Sequence, residues 1–146
     1  MNIPSELYQS ILASMPVLCA DALIVNQGKC LLLLRDNEPA KGTYWFPGGR
    51  VQKNELIKDA VLRKAKEETN LTCVFEKIIS VEETMFEKQG HMLTDVHTVN
   101  VCCLLRPVNI DELKVDRLHS GFKWVDTLDA SYHQGINNPL ALLGYV

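Results

Sequence analysis

Between Pro47 and Glu68 the chain sets out groups that handle cations and anions: the turn Pro47-Gly48-Gly49-Arg50, a lone Glu55, then Arg63, Lys64 and the adjacent carboxylates Glu67 and Glu68. Hard cations such as Mg²⁺ take oxygen ligands. A glycine turn that exposes backbone carbonyls beside paired carboxylates supplies them without cysteine or histidine. Arg63 and Glu67 stand four residues apart, as do Lys64 and Glu68, so on a helix the four share one broad side and pair across a turn. An ordinary solvated face has the same spacing and contributes about a few tenths of a kcal/mol per pair. The turn that precedes this face, Tyr44-Trp45-Phe46-Pro47-Gly48-Gly49-Arg50, sets it apart. Its proline holds the backbone, and its glycines free it for close approach to a ligand. Arg35 adds a guanidinium fork suited to phosphate oxygens. Together these groups describe a site for a divalent metal and a diphosphate.

The elements that must position them follow from periodicity. Residues 4–14 carry Leu7, Ile11 and Leu12 at helical spacing, which predicts a short N-terminal helix ended by Met15-Pro16. Residues 17–26 and 29–35 are apolar, partly β-branched runs separated by Gln27-Gly28, the pattern of a hairpin. Residues 39–49 are turn chemistry. Residues 56–69 are mostly good helix formers, with Val61, Leu62 and Ala65 available to a core. Strands are predicted over 72–82, 97–106 and 121–125, a polar loop over 83–95, and helical turns over 127–132 and 139–145. Strands before and after one central helix predict a mixed sheet with helices on its faces, an α/β arrangement in the broad sense.

Composition narrows the class. A chain of 146 residues is the size of one domain, and none of its apolar runs is long enough to cross a bilayer. Residues 1–15 carry acidic Glu6 and lack the basic start and apolar block of an export signal. The five cysteines, Cys19, Cys30, Cys73, Cys102 and Cys103, are odd in number and have no C-x-x-C spacing, as expected of reduced cysteines in the cytoplasm. A net charge of −3 argues against a nucleic-acid surface, and no membrane partner is expected. His91 and His97 fall in or beside the polar loop and are expected to be solvent-exposed; Trp45 and Trp124 are expected as core or pocket wall. His119 has two readings, a surface loop histidine or a proton acceptor near neutrality.

Gly49, five residues, Glu55, seven residues, Arg63, and then Glu67-Glu68 resemble the signature of the Nudix hydrolases, G-x5-E-x7-R-E-U-x-E-E-x-G-U with U aliphatic. The resemblance implies an α/β/α sandwich around a mixed sheet and Mg²⁺- or Mn²⁺-dependent hydrolysis of a nucleoside diphosphate linked to another group. It also implies metal ligation by the Gly48 carbonyl, Glu67 and Glu68, with Arg63 orienting the carboxylates, Glu68 catalytic and Glu55 bracing the loop. Two positions depart: Lys64 stands where the signature has glutamate, and Asn70 where it has glycine. Asn70 tolerates the left-handed conformation. A protonated lysine neither holds metal nor activates water, so the usual attack on phosphorus loses a group.

Within the family, Pro39-Ala40-Lys41-Gly42 and Pro47-Gly48-Gly49-Arg50-Val51-Gln52-Lys53 are similar to the branch that acts on GDP-mannose and lacks the same glutamate. That similarity implies release of nucleoside diphosphate and free sugar by attack on carbon, with His119 of His119-Ser120-Gly121-Phe122-Lys123-Trp124 as general base. It implies that Tyr8 contacts the base, that Asp21 matches an acidic residue of the first strand, and that Arg35 and Arg50 bind the diphosphate. It implies a homodimer through the N-terminal helix. Leu118 departs, standing where that branch has a glutamine metal ligand. Two alternatives stay open: a pyrophosphohydrolase acting at phosphorus, and a nucleotide-binding domain without turnover.

Overall fold

Apolar alternation along the strands decides which side of the sheet each helix covers. The computed structural model describes residues 2–146, and its element order is α1 (Ser5–Ser14), β1 (Val17–Asn26), β2 (Lys29–Arg35), β3 (Tyr44–Trp45), β4 (Gly48–Arg50), α2 (Ile57–Thr69), β5 (Cys73–Phe86), β6 (Val96–Pro107), a 3₁₀ turn (Ile110–Glu112), β7 (His119–Val125) and α3 (Gln134–Leu142). The seven strands run β3-β2-β1-β6-β5, with β4 also paired to β1 and β7 to β2. β1 and β6 are parallel, from Val17 opposite Thr98 to Ile24 opposite Leu105; the other pairings are antiparallel. The sheet is therefore mixed, as the sequence predicts.

On β1, Ala20, Ala22 and Ile24 pack with Ala60, Val61 and Ala65 of α2. Leu23, between them, packs instead with Ile136 and Leu140 of α3. Successive strand residues point to opposite faces, so α2 and α3 cover opposite sides of one sheet. α2 ends where Asn70 takes a left-handed conformation (φ 62°) and its side-chain amide donates to the Glu112 carbonyl at 3.0 Å. Asparagine thus does the work expected of a terminal glycine.

Four expectations are corrected. β5 continues to Phe86 and pairs with β6 along its whole length, so the segment 83–86 is strand; Glu83 and Met85 face solvent on an edge strand while Thr84 turns inward. Residues 127–132 form no helix. The last helix begins earlier than predicted, at Gln134, because the imidazole of His133 caps it by accepting from the Gly135 N–H at 2.9 Å; Pro139 lies within it. His97 lies inside β6 and is half-buried, with Nε2 4.0 Å from the Glu83 carboxylate.

Candidate active site

The turn and the central helix lock together through glycine. Gly48 pairs across β1 with Asp21, and a Cβ there would stand 2.5 Å from the Ala20 carbonyl oxygen and 2.9 Å from the Asp21 Cα. Only glycine fits against backbone at that distance. A Cβ on Gly49 would meet the Lys64 Cε at 2.6 Å, so the lysine stem lies across the turn. From the helix, Glu68 reaches back, and its Oε1 accepts the Gly48 N–H at 2.9 Å. This carboxylate is buried; loss of water pushes its pKa up, against the pull of Lys64 and the Gly48 N–H.

Arg63 organises the outer half. Its Nε and Nη2 donate to the two oxygens of Glu55 at 2.8 and 2.9 Å, a bidentate pair, and Nη2 also donates to the Arg50 carbonyl at 3.2 Å. Glu55 accepts the Gln52 N–H at 3.0 Å as well, and its pKa is pushed down to about 2, chiefly by the bond from Arg63. Glu67 is half-exposed and takes Arg63 Nη1 at 3.1 Å and Lys64 Nζ at 3.2 Å. Partial burial works against its charge, but these two cations hold its pKa below the usual carboxylate range.

Beside the turn lies a cavity of about 440 Å³, whose wall includes Tyr8, Asp21, Arg35, Gly48, Gly49 and Arg50. Its volume is in the range of small-molecule sites. Arg35 is fixed by donating Nε to the Pro39 carbonyl at 2.8 Å. The Arg50 guanidinium sits 5.8 Å from the centre of the Tyr8 ring, so Tyr8 reaches the cavity from α1 of the same chain. Asp21 is buried and accepts from the Asn100 amide at 3.1 Å; burial pushes its pKa up to about 7, so the cavity holds a carboxyl that gains its charge near neutrality. The Cys19 thiol, on the same wall, is pushed up to about 12 by burial and stays protonated.

His119 is brought opposite Arg35 by a register shift in the β2–β7 pairing. Its side chain is only 4% exposed, and it is not part of the cavity wall. Its Nδ1 lies 2.7 Å from Asp116 Oδ1, which also accepts the Leu118 N–H at 3.2 Å. The Asp116 N–H in turn donates to the Glu68 carbonyl at 3.0 Å, tying this loop to the end of α2. Glu68, Asp116 and His119 therefore offer donor atoms within 4.8 Å of one another.

The expected residues thus fall into groups. Tyr8, Asp21, Arg35, Gly48 and Arg50 share the cavity; Glu68 and His119 meet behind it; Arg63 and Glu67 form the outer ion-pair network. Leu118 is half-exposed, and the group beside Glu68 is Asp116, which sequence reasoning missed. The available signal was an acid three residues before a candidate histidine. Carboxylate oxygens of Glu68 and Asp116 stand close together there, a hard oxygen donor set that fits Mg²⁺ or Mn²⁺.

A family model for the NUDIX domain matches residues 15–142. The chain is 31% identical over 122 residues to the low-salt glycan biosynthesis protein Agl8 of Haloferax volcanii, covering 84% of this chain and 78% of that protein. It is 33% identical over 87 residues to an ADP-ribose pyrophosphatase of Methanocaldococcus jannaschii, covering 59% of this chain and 52% of the relative, about half its length. Among solved structures, a MutT NUDIX hydrolase from Burkholderia pseudomallei superposes with a TM-score of 0.74 over 89% of this chain and 99% of that one, at 23% identity, a likeness of fold.

Proposed function

This chain belongs to the Nudix family, and on that premise we propose that it is a divalent-metal-dependent hydrolase of nucleoside diphosphate sugars of the GDP-mannose kind, releasing nucleoside diphosphate and free sugar. The observation that carries this reading is the shared wall of Arg35, Arg50 and the Gly48-Gly49 turn, with buried Glu68 bonded to the back of that turn. Two guanidinium groups on one wall suit the paired charges of a diphosphate. Tyr8 offers an aromatic face for the base, and Asp21 offers a hydrogen-bonding carboxyl.

Gly48, Glu67 and Glu68 would hold Mg²⁺ or Mn²⁺, which when bound neutralises charge on the diphosphate. Arg35 and Arg50 donate to the same oxygens, most strongly as the leaving group gains charge. Arg63 keeps Glu67 and Glu55 in place. His119, with Nδ1 turned to Asp116, has Nε2 to take a proton from water. The protein is proposed to work in the cytoplasm, where its free cysteines stay reduced. It is proposed to pair as a homodimer through α1, which buries none of its residues within the chain and leaves Leu7 exposed.

One observation favours a second reading. Because His119 is buried and off the cavity wall, attack at phosphorus, with Glu68 as the active carboxylate, needs no movement of that histidine. Hydrolysis of a nucleotide-sugar panel in ¹⁸O water separates the two. Label in the sugar, with nucleoside diphosphate as co-product and a loss of at least about a hundredfold in His119→Ala, supports the first reading. Label in phosphate, with nucleoside monophosphate and sugar phosphate, overturns it in favour of the second. Ligand-dependent stabilisation without turnover overturns both and leaves a nucleotide-binding domain.

A further inference from the structure

Lys64 stands where its charge contradicts a cation site, yet it is paired with both carboxylates there. Its Nζ lies 3.2 Å from Glu67 Oε2 and 3.4 Å from Glu68 Oε2, between the two carboxylates. The side chain is 18% exposed and Glu68 only 7%, so this is no solvated surface pair. The stem crosses Gly49, where a Cβ would stand 2.6 Å from Cε, so the bare glycine is what lets the lysine lie over the turn. The helix fixes the rest, since positions three and four residues on from Lys64 face the same way.

Charge makes the position meaningful. Arg63 spends two nitrogens on Glu55, so Lys64 is the cation that Glu67 and Glu68 share at their inner oxygens. Glu55, Glu67 and Glu68 stand against Arg63 and Lys64, and with the Asp116 carboxylate beside Glu68 the cluster carries four carboxylates against two cations. One divalent ion and an anionic substrate suit that remainder. A second divalent ion would have to share its carboxylates with an ammonium a few ångströms away.

We infer that the Lys64 ammonium is a resident cation of the carboxylate cluster, held by Glu67 and Glu68 in the place of a second divalent ion, so that the site admits only one. The inference rests on the reading that Glu67 and Glu68 bind metal, and it deepens that reading by setting the number of ions and assigning Lys64 a task. Lys64 thereby puts an ammonium next to the diphosphate-binding wall.

Titration of the free protein with Mn²⁺, followed by the electron paramagnetic resonance signal of unbound Mn²⁺, tests it without any turnover. Wild type is expected to bind one ion per chain. Lys64→Met is expected to bind the first ion at least about tenfold more tightly and to admit a second, while Lys64→Arg keeps the wild-type count. Lys64→Gln replaces the methionine variant if that one fails a circular-dichroism check of folding. Two ions in wild type, or a gain below about tenfold in the neutral variant, overturns the role of Lys64 and leaves the metal reading intact. No bound Mn²⁺ in any variant overturns the metal reading and the inference together.

Discussion

Glu55 shows how one side chain sets the geometry of a turn. It receives both nitrogens of the Arg63 fork and the Gln52 N–H, and these bonds, led by that from Arg63, push its pKa down to about 2. A carboxylate whose folded pKa lies below its unfolded value contributes stability that is complete above about pH 4.5 and is lost as pH falls through about 2. Glu55→Gln is therefore expected to destabilise the fold by about 1.5–3 kcal/mol at pH 7, the range for hydrogen bonds to charged groups. The gap between the two proteins should close as pH approaches 2. Denaturant midpoints at pH 7, 4 and 2.5 measure it; a gap that does not depend on pH would refute the charge-based account. At this scale the spacing of Glu55, Arg63, Glu67 and Glu68 was legible, because helical periodicity alone puts three of them on one side. Asp116 was not. Its partnership with His119 depends on a loop bonded to the last turn of α2 and on an irregular strand register, neither of which local sequence encodes.

Between β4 and α2 two glycines make the contact, and they differ in what opposes them. A Cβ on Gly48 meets backbone of β1, which has nowhere to go; a Cβ on Gly49 meets the end of a lysine, which can swing aside. Gly48→Ala is expected to lower stability by at least about 2 kcal/mol more than Gly49→Ala, within the range for overpacking against a fixed neighbour. The cost of Gly49→Ala should fall in a Lys64→Ala background, since the clash is with that side chain alone. Thermal melts of the single and double variants give the comparison, and equal costs for the two glycines would count against the packing described. The elements themselves were largely legible: α1, the β1–β2 hairpin, α2 and β7 lie within a residue or two of where periodicity puts them. The misreadings share a cause. The end of β5 reads as loop in sequence because Glu82, Glu83 and Thr84 interrupt its apolar pattern, and the start of α3 escapes because its cap is an imidazole, which no simple capping rule names.

For the molecule as a whole, α1 is loosely held. None of its residues is buried, Leu7 on it and Met15 just after it are more than half exposed, and within the chain it lends Tyr8, Gln9 and Leu12 to the cavity wall. A homodimer formed through this helix would cover Leu7 and brace Tyr8. Light scattering after size exclusion is expected to give twice the chain mass, and Leu7→Glu to give the single mass; a monomer across micromolar concentrations would sink the proposal. No helix among the described residues is long and apolar enough to cross a membrane. The sequence by itself determined the family, the mixed sheet and the charged side of α2, because these follow from spacing along a regular helix or strand, which neighbouring residues fix. Only the tertiary structure decided that Arg35, Arg50, Asp21 and Tyr8 share one cavity, that His119 lies behind it against Asp116, and that Lys64 rests between two carboxylates. Those relations join residues far apart in the chain, and the closeness of packing at Gly48 and Gly49, not any local preference, sets their distances.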